Sequence, residues 1–145
     1  MTCNSCTTPD GQIQTQNFSC KAGDTFERGL TITDQSTGEP IDITGWTFFM
    51  SIYASWAAKQ ASASPLISLS NGSGFTITAS TLGMLNMAIT DTQTSTITFT
   101  APAPYGTNIP TNVCVYDFLG IDSDGNQMTQ MQGNFTFTQR LTVGP

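Results

Sequence analysis

Val113-Cys114-Val115-Tyr116-Asp117-Phe118-Leu119-Gly120-Ile121, then Asp122-Ser123-Asp124-Gly125, then Gly133-Asn134-Phe135-Thr136-Phe137 is the stretch that decides the fold. Apolar and polar residues alternate on both sides of a glycine-containing turn, which is the pattern of a β-hairpin. A second unit near the other end reads the same way. It runs from Gly23-Asp24-Thr25-Phe26 to Pro40-Ile41-Asp42-Ile43-Thr44-Gly45-Trp46. Within it Phe26, Leu30 and Ile32 share one phase, and Thr25, Thr31 and Thr33 share the other.

Between these units the chain is a series of short strands and breakers. Residues 46–54 alternate Trp46, Phe48, Met50 and Ile52 against Thr47, Phe49, Ser51 and Tyr53. Such aromatic and branched residues favour strands. The Ala-rich stretch 54–64 changes character and reads as a helical turn or loop, stopped by Pro65. Leu66-Ile67-Ser68-Leu69, Phe75-Thr76-Ile77-Thr78 and Met84–Ile89 are further strands. Asp91 offers an N-cap oxygen for one helical turn over residues 91–95. Short strands separated by Gly, Pro, Asn and Ser turns predict an all-β sandwich or barrel. Residues 1–22, with Cys3, Cys6 and Cys20, read as an extended N-terminal arm ahead of a domain over 23–145.

Composition bounds the function. The 145 residues suffice for one domain with a core, and only 10% are charged, against roughly 25% in an average soluble domain. Thr, Ser, Asn and Gln supply the polarity, which suits a rigid virion or extracellular surface. The net charge is −6. The four basic residues, Lys21, Arg28, Lys59 and Arg140, are scattered, so no phosphate-binding patch is expected and nucleic acid is not a predicted partner. An acidic surface is repelled by anionic membranes, and no apolar run reaches the roughly 18 residues of a span. Met1-Thr2-Cys3-Asn4-Ser5-Cys6 lacks the basic and apolar regions of a secretion signal.

Few residues carry chemistry. There is no His, so Ser–His–Asp and Cys–His arrangements cannot form within the chain. Glu27 and Glu39 are the only glutamates, and both fall in strand or turn positions. No nucleotide-binding glycine motif occurs. No enzyme activity, catalytic residue or cofactor is therefore expected. Cys3 and Cys6 have C-x-x-C spacing, with Cys20 following and Cys114 in a strand. The first three are disulfide candidates. All four together could form a thiolate metal cluster, although the second C-x-x-C of a zinc ribbon is missing. Asp122-Ser123-Asp124-Gly125-Asn126 partly mimics a calcium loop but lies between strands and lacks the closing Glu. A hairpin turn is the simpler reading.

The ordered pieces Gly23-Asp24-Thr25-Phe26, Pro40–Trp46, Tyr116-Asp117-Phe118 with Asp122–Gly125, and Gly133–Phe137 carry a resemblance. The chain resembles immunoglobulin-like structural domains of tailed bacteriophages, found among tail, baseplate and neck proteins, including N-terminal domains of upper baseplate proteins. The likeness covers residues 23–53 and 113–143 and excludes the Cys-bearing leader. It implies an immunoglobulin-like antiparallel β-sandwich whose work is scaffolding and attachment. The expected role is a virion protein, assembled in the bacterial cytoplasm, that joins a fibre or other component to the baseplate, tail or neck. Its expected partners are other virion proteins and itself. A capsid decoration (cement) protein and a carbohydrate-binding module are the alternatives. Trp56 and Tyr105, in loop-like segments, are the interaction candidates, and Tyr53 is the third aromatic considered for sugar stacking.

Overall fold

The computed structural model describes residues 14–34, 37–99 and 111–139. They form β1 (Gln14–Thr15), β2 (Phe18–Lys21), β3 (Phe26–Thr31), β4 (Thr47–Tyr53), α1 (Trp56–Gln60), β5 (Ile67–Asn71), β6 (Gly74–Ala79), β7 (Met84–Ile89), α2 (Asp91–Thr94), β8 (Thr111–Ile121) and β9 (Gln127–Thr138). The strands make one sheet in the order β1-β9-β8-β4-β5-β6-β7-β3, with β2 also pairing β9. The fold is predominantly β, and the mixed sheet is nearly closed into a barrel.

The sheet departs from a purely antiparallel pattern in two places. β1 and β2 run parallel to β9, from Gln14 opposite Met131 to Lys21 opposite Thr138. β5 and β6 are parallel over only two residue pairs, Ser70–Gly74 and Asn71–Phe75. That short contact is a corner. Gly72 (φ 78°) and Gly74 (φ 113°) turn the chain there, and a Cβ on Gly74 would strike the Leu69 side chain. The β6-β7-β3 layer thereby folds back over β9-β8-β4-β5.

The fold's stability comes from the rings between these layers. Phe48 stacks on Phe118 at 5.6 Å, and Phe75 crosses from the opposite layer to within 5.3 Å of Phe118. At the other end Phe135 meets Phe18, Phe26, Tyr116 and Phe137 at 4.8–6.3 Å. Offset and edge-on rings at these separations add to the burial energy of each side chain.

Residues 14–21, which the sequence places in the arm, are strands of this sheet, and Phe18 is buried in the core. The reason is local. Phe18 is the apolar inward residue of a four-residue strand, too short for periodicity to reveal. Residues 1–13, with Cys3 and Cys6, lie outside the described residues.

The seam between β2 and β3 is closed by side chains. Phe18 and Phe26 meet edge-on at 5.7 Å, and the Arg28 guanidinium lies 5.3 Å from the Phe18 ring centre and 6.0 Å from that of Phe26. One side of the guanidinium faces the rings, and the residue remains exposed to water.

α2 secures the turn leading into β3. Its N-cap is Thr90, one residue before the expected Asp91, because Thr90 and Gln93 form a reciprocal capping box. Thr94, fully buried, accepts the Gly23 N–H at 2.9 Å and donates to the Asp24 carbonyl at 2.8 Å. Thr94→Val keeps the shape, removes both bonds and leaves the Gly23 N–H without its hydroxyl acceptor. It should cost about 1–3 kcal/mol, read as a lower urea midpoint at unchanged m.

Candidate functional site

The outer face of the β9-β8-β4-β5 layer carries apolar side chains among its polar ones. On a strand, residues opposite the core-facing set point outward. On β4 these are Thr47, Phe49, Ser51 and Tyr53; on β8 they include Val113, Val115, Asp117 and Leu119. Phe49 stands opposite Leu119 and Tyr53 opposite Val115. Phe49, Val113, Leu66 (just before β5) and Trp56 (on α1) are exposed. Tyr53 and Leu119 are half-buried.

α1 folds back onto this face. Ser55 caps it by accepting the Ala58 N–H at 3.1 Å, and Ala57 and Ala58 are strong helix formers. The Ala61 N–H closes the helix on the Ala57 carbonyl at 3.0 Å. Lys59, in the last turn, places Nζ 2.5 Å from Asp117 Oδ2. The same ammonium sits 5.0 Å from the Trp56 ring centre. Val115, although in the outward phase, is buried beside the strand residues that α1 overlies. Both ion-pair partners are partly exposed, so the pair contributes at most about 1 kcal/mol. Its larger effect is to hold α1 in register and cancel the charge of Asp117.

Of the predicted interaction residues, Trp56 is exposed on this face, Tyr53 is half-buried on it, and Tyr105 lies outside the described residues. Sugar stacking needs an open ring face, and Lys59 covers one face of the Trp56 indole. The sequence carried a signal for this face. Phe49, Tyr53, Val113 and Val115 are apolar in the phase that a half-solvated strand fills with polar residues.

The thiols sit elsewhere. Cys20 and Cys114 are free. Both occupy the inner phase, on strands flanking β9 on either side. Two strand spacings, about 10 Å, exceed the reach of a disulfide, so these two do not share a site. Burial, then the Asp24 carboxylate, pushes the Cys20 thiol up to about 11, and burial raises that of Cys114. Cys20 Sγ points to the Lys21 carbonyl at 3.2 Å. Among the described residues no group of three or more His, Cys, Asp or Glu is placed to hold a metal, and no helix is long and apolar enough to cross a membrane.

The β8–β9 turn uses its carboxylate internally. Asp122 accepts the Asn126 and Asp124 amides, each at 2.9 Å, and the Asn126 side chain at 3.1 Å. Gly125 supplies the positive φ of 88°. Hydrogen bonds from Asn126 foremost lower the Asp122 pKa, and bonds from Thr44 do the same for Asp42. A carboxylate depressed in the folded state stabilises the fold above its unfolded pKa, near 3.9. That contribution is lost as pH falls through the folded value. Asp122→Asn should therefore flatten the decline of the urea midpoint below about pH 4, with the Asp42 share of the decline remaining.

A cavity of about 340 Å³ is lined by Thr98, Phe99, Thr111, Asn112 and Val113. None of these described side chains is an acid or a base. Comparison with known protein families finds no matching family model, and no curated protein matches the chain.

Proposed function

We propose that this chain is a non-enzymatic structural protein of a tailed-phage virion, an adaptor that attaches a component to the tail, baseplate or neck. The observation carrying the attachment reading is the outer face of the β9-β8-β4-β5 layer, where aromatic and aliphatic side chains are exposed around a cancelled charge pair. Exposed Phe49, Val113, Trp56 and Leu66 on one side of the molecule favour a contact surface there. The virion setting rests on the resemblance of the motif series over residues 23–53 and 113–143.

Strand connectivity supports the immunoglobulin-like part of this reading. In that fold the B, E and D strands share one sheet, and the G, F, C and C′ strands share the other. Here β3-β7-β6 and β9-β8-β4-β5 follow those two orders. A buried tryptophan, Trp46, immediately precedes β4; immunoglobulin domains also carry a core tryptophan on the C strand, which favours this reading.

Immunogold electron microscopy tests the proposal. Antibody against the chain, applied to banded particles from the producing host, should label the tail, baseplate or neck. Label spread over the capsid shell replaces the adaptor with a decoration protein. Particles without label, from cells that contain the chain, overturn the virion reading.

A further inference from the structure

We propose that α1 is a hinged flap over β4 and β8, latched by the Lys59–Asp117 pair, and that it opens and closes as one unit while the sheet stays folded. The flap is a property of this chain alone and does not depend on the attachment reading.

The closed state is built from few contacts. α1 has five residues, none of them buried, and a helix this short is not stable by itself in water. Among the described residues, its hydrogen bond to the sheet is the one from Lys59 Nζ to Asp117 Oδ2, with both partners partly exposed. The Trp56 ring, 5.0 Å from the same ammonium, ties the first turn of the helix to that latch. Tyr53 leads the chain off the sheet beside Val115, and Lys59 comes down at Asp117, further along β8. Val115 lies between those two points and is buried although it is in the outward phase.

The C-terminal end of the helix works against closure. It finishes in a Schellman turn, in which the Ser62 N–H donates to the Lys59 carbonyl at 3.1 Å and the Ala63 N–H to the Ala58 carbonyl at 3.0 Å. The turn holds Ser62 at a φ of 58°, the one positive φ outside glycine among the described residues. Glycine usually takes this left-handed position, because a Cβ there crowds the following carbonyl. Unwinding the turn releases that strain. Beyond it the Leu66 N–H bonds the Ile52 carbonyl at 2.7 Å and returns the chain to the sheet. Motion is thereby confined to residues 54–65. Opening frees the Asp117 carboxylate and the Lys59 ammonium together and uncovers Val115.

Native-state hydrogen exchange of the full chain, read amide by amide by NMR in urea below the unfolding midpoint, tests the flap. The amides of Lys59, Ala61, Ser62 and Ala63 should exchange through an opening that urea barely changes, while those of β4 and β8 follow global unfolding. Ser62→Gly should raise the protection factors of this whole set about fivefold. Asp117→Asn, a change on β8 and outside the helix, should lower them together by up to about fivefold. Raising NaCl from about 10 mM to about 1 M screens the pair. It should lower the same protection factors in the parent chain and leave them unchanged in Asp117→Asn. The β4 and β8 amides report whether the sheet of each variant is intact. Helix amides as protected as the strands, or with no protection at all, overturn the inference. So do helix amides that answer Asp117→Asn by unequal factors, which is fraying from one end, or that ignore it.

Discussion

Gly133→Ala is expected to cost about 3 kcal/mol and to loosen the N-terminal strands before the rest of the sheet. An added Cβ would lie 2.2 Å from the Gln16 carbonyl oxygen and 3.0 Å from Asn17 Oδ1. The main clash is with backbone, which no rotamer change relieves. Gln16 and Asn17 are the link between β1 and β2, and three contacts seat them. The Gln16 N–H donates to the Gln132 carbonyl at 3.2 Å, and Asn17 Oδ1 accepts the Asn134 N–H at 3.0 Å. The buried Tyr116 hydroxyl donates to the Gln16 carbonyl at 2.6 Å, and burial raises the pKa of that phenol. Pushing the link outward breaks all three and lifts Phe18 from the core. Hydrogen exchange should show amides of residues 16–21 losing protection first, and the melting temperature should fall by roughly 10 °C. Protection of residues 16–21 equal to that of the parent chain would count against this account.

Phe135→Ala should be more damaging still, at about 3–5 kcal/mol. Phe135 is fully buried and contacts rings from β2, β3, β8 and its own strand. No other described ring touches Phe18, Phe26 and Tyr116 together with Phe137. Its loss leaves a cavity at the seam where β2 and β3 are held by side chains, without strand pairing among the described residues. Calorimetry reads the loss directly. A melting temperature within a few degrees of the parent would mean that the seam collapses to fill the void. Phe135→Leu, which retains most of the volume, should cost much less.

Most of the strand pattern was legible because burial repeats every second residue. Met84–Ile89 alternates clearly, and β7 has those bounds. Asp42-Ile43-Thr44 ahead of Gly45 is a turn sequence in which Asp and Thr side chains can bond neighbouring amides. Thr44 does bond Asp42 Oδ1 through its amide, at 2.9 Å. Three things were not legible. The parallel pairing of β2 with β9 depends on a partner more than a hundred residues away, and a four-residue strand has too short a period to announce itself. The capping of α2 by Thr90 instead of Asp91 is decided by Gln93 reaching back three residues. The outer face was visible only as residues out of phase. Phe49 and Tyr53 have the chemistry of a core, and only the register of β4 against β8 places them outside. Trp56 was found from its loop-like setting, while its Lys59–Asp117 partners required the fold.

The parallel run of β2 beside β9 has a mechanical meaning. Tension applied from the Gln14 end to the Gln139 end draws the two strands past each other along their length. The evenly spaced bonds of the ladder then share the load and must fail together. An antiparallel arrangement of first and last strands would peel open one bond at a time. The Gln16–Asn17 link, keyed into the notch at Gly133, adds a catch against sliding. Stretched in a single-molecule experiment, the domain should therefore give way in one abrupt, high-force event. Tyr116→Phe, which removes the bond to Gln16, should lower that force.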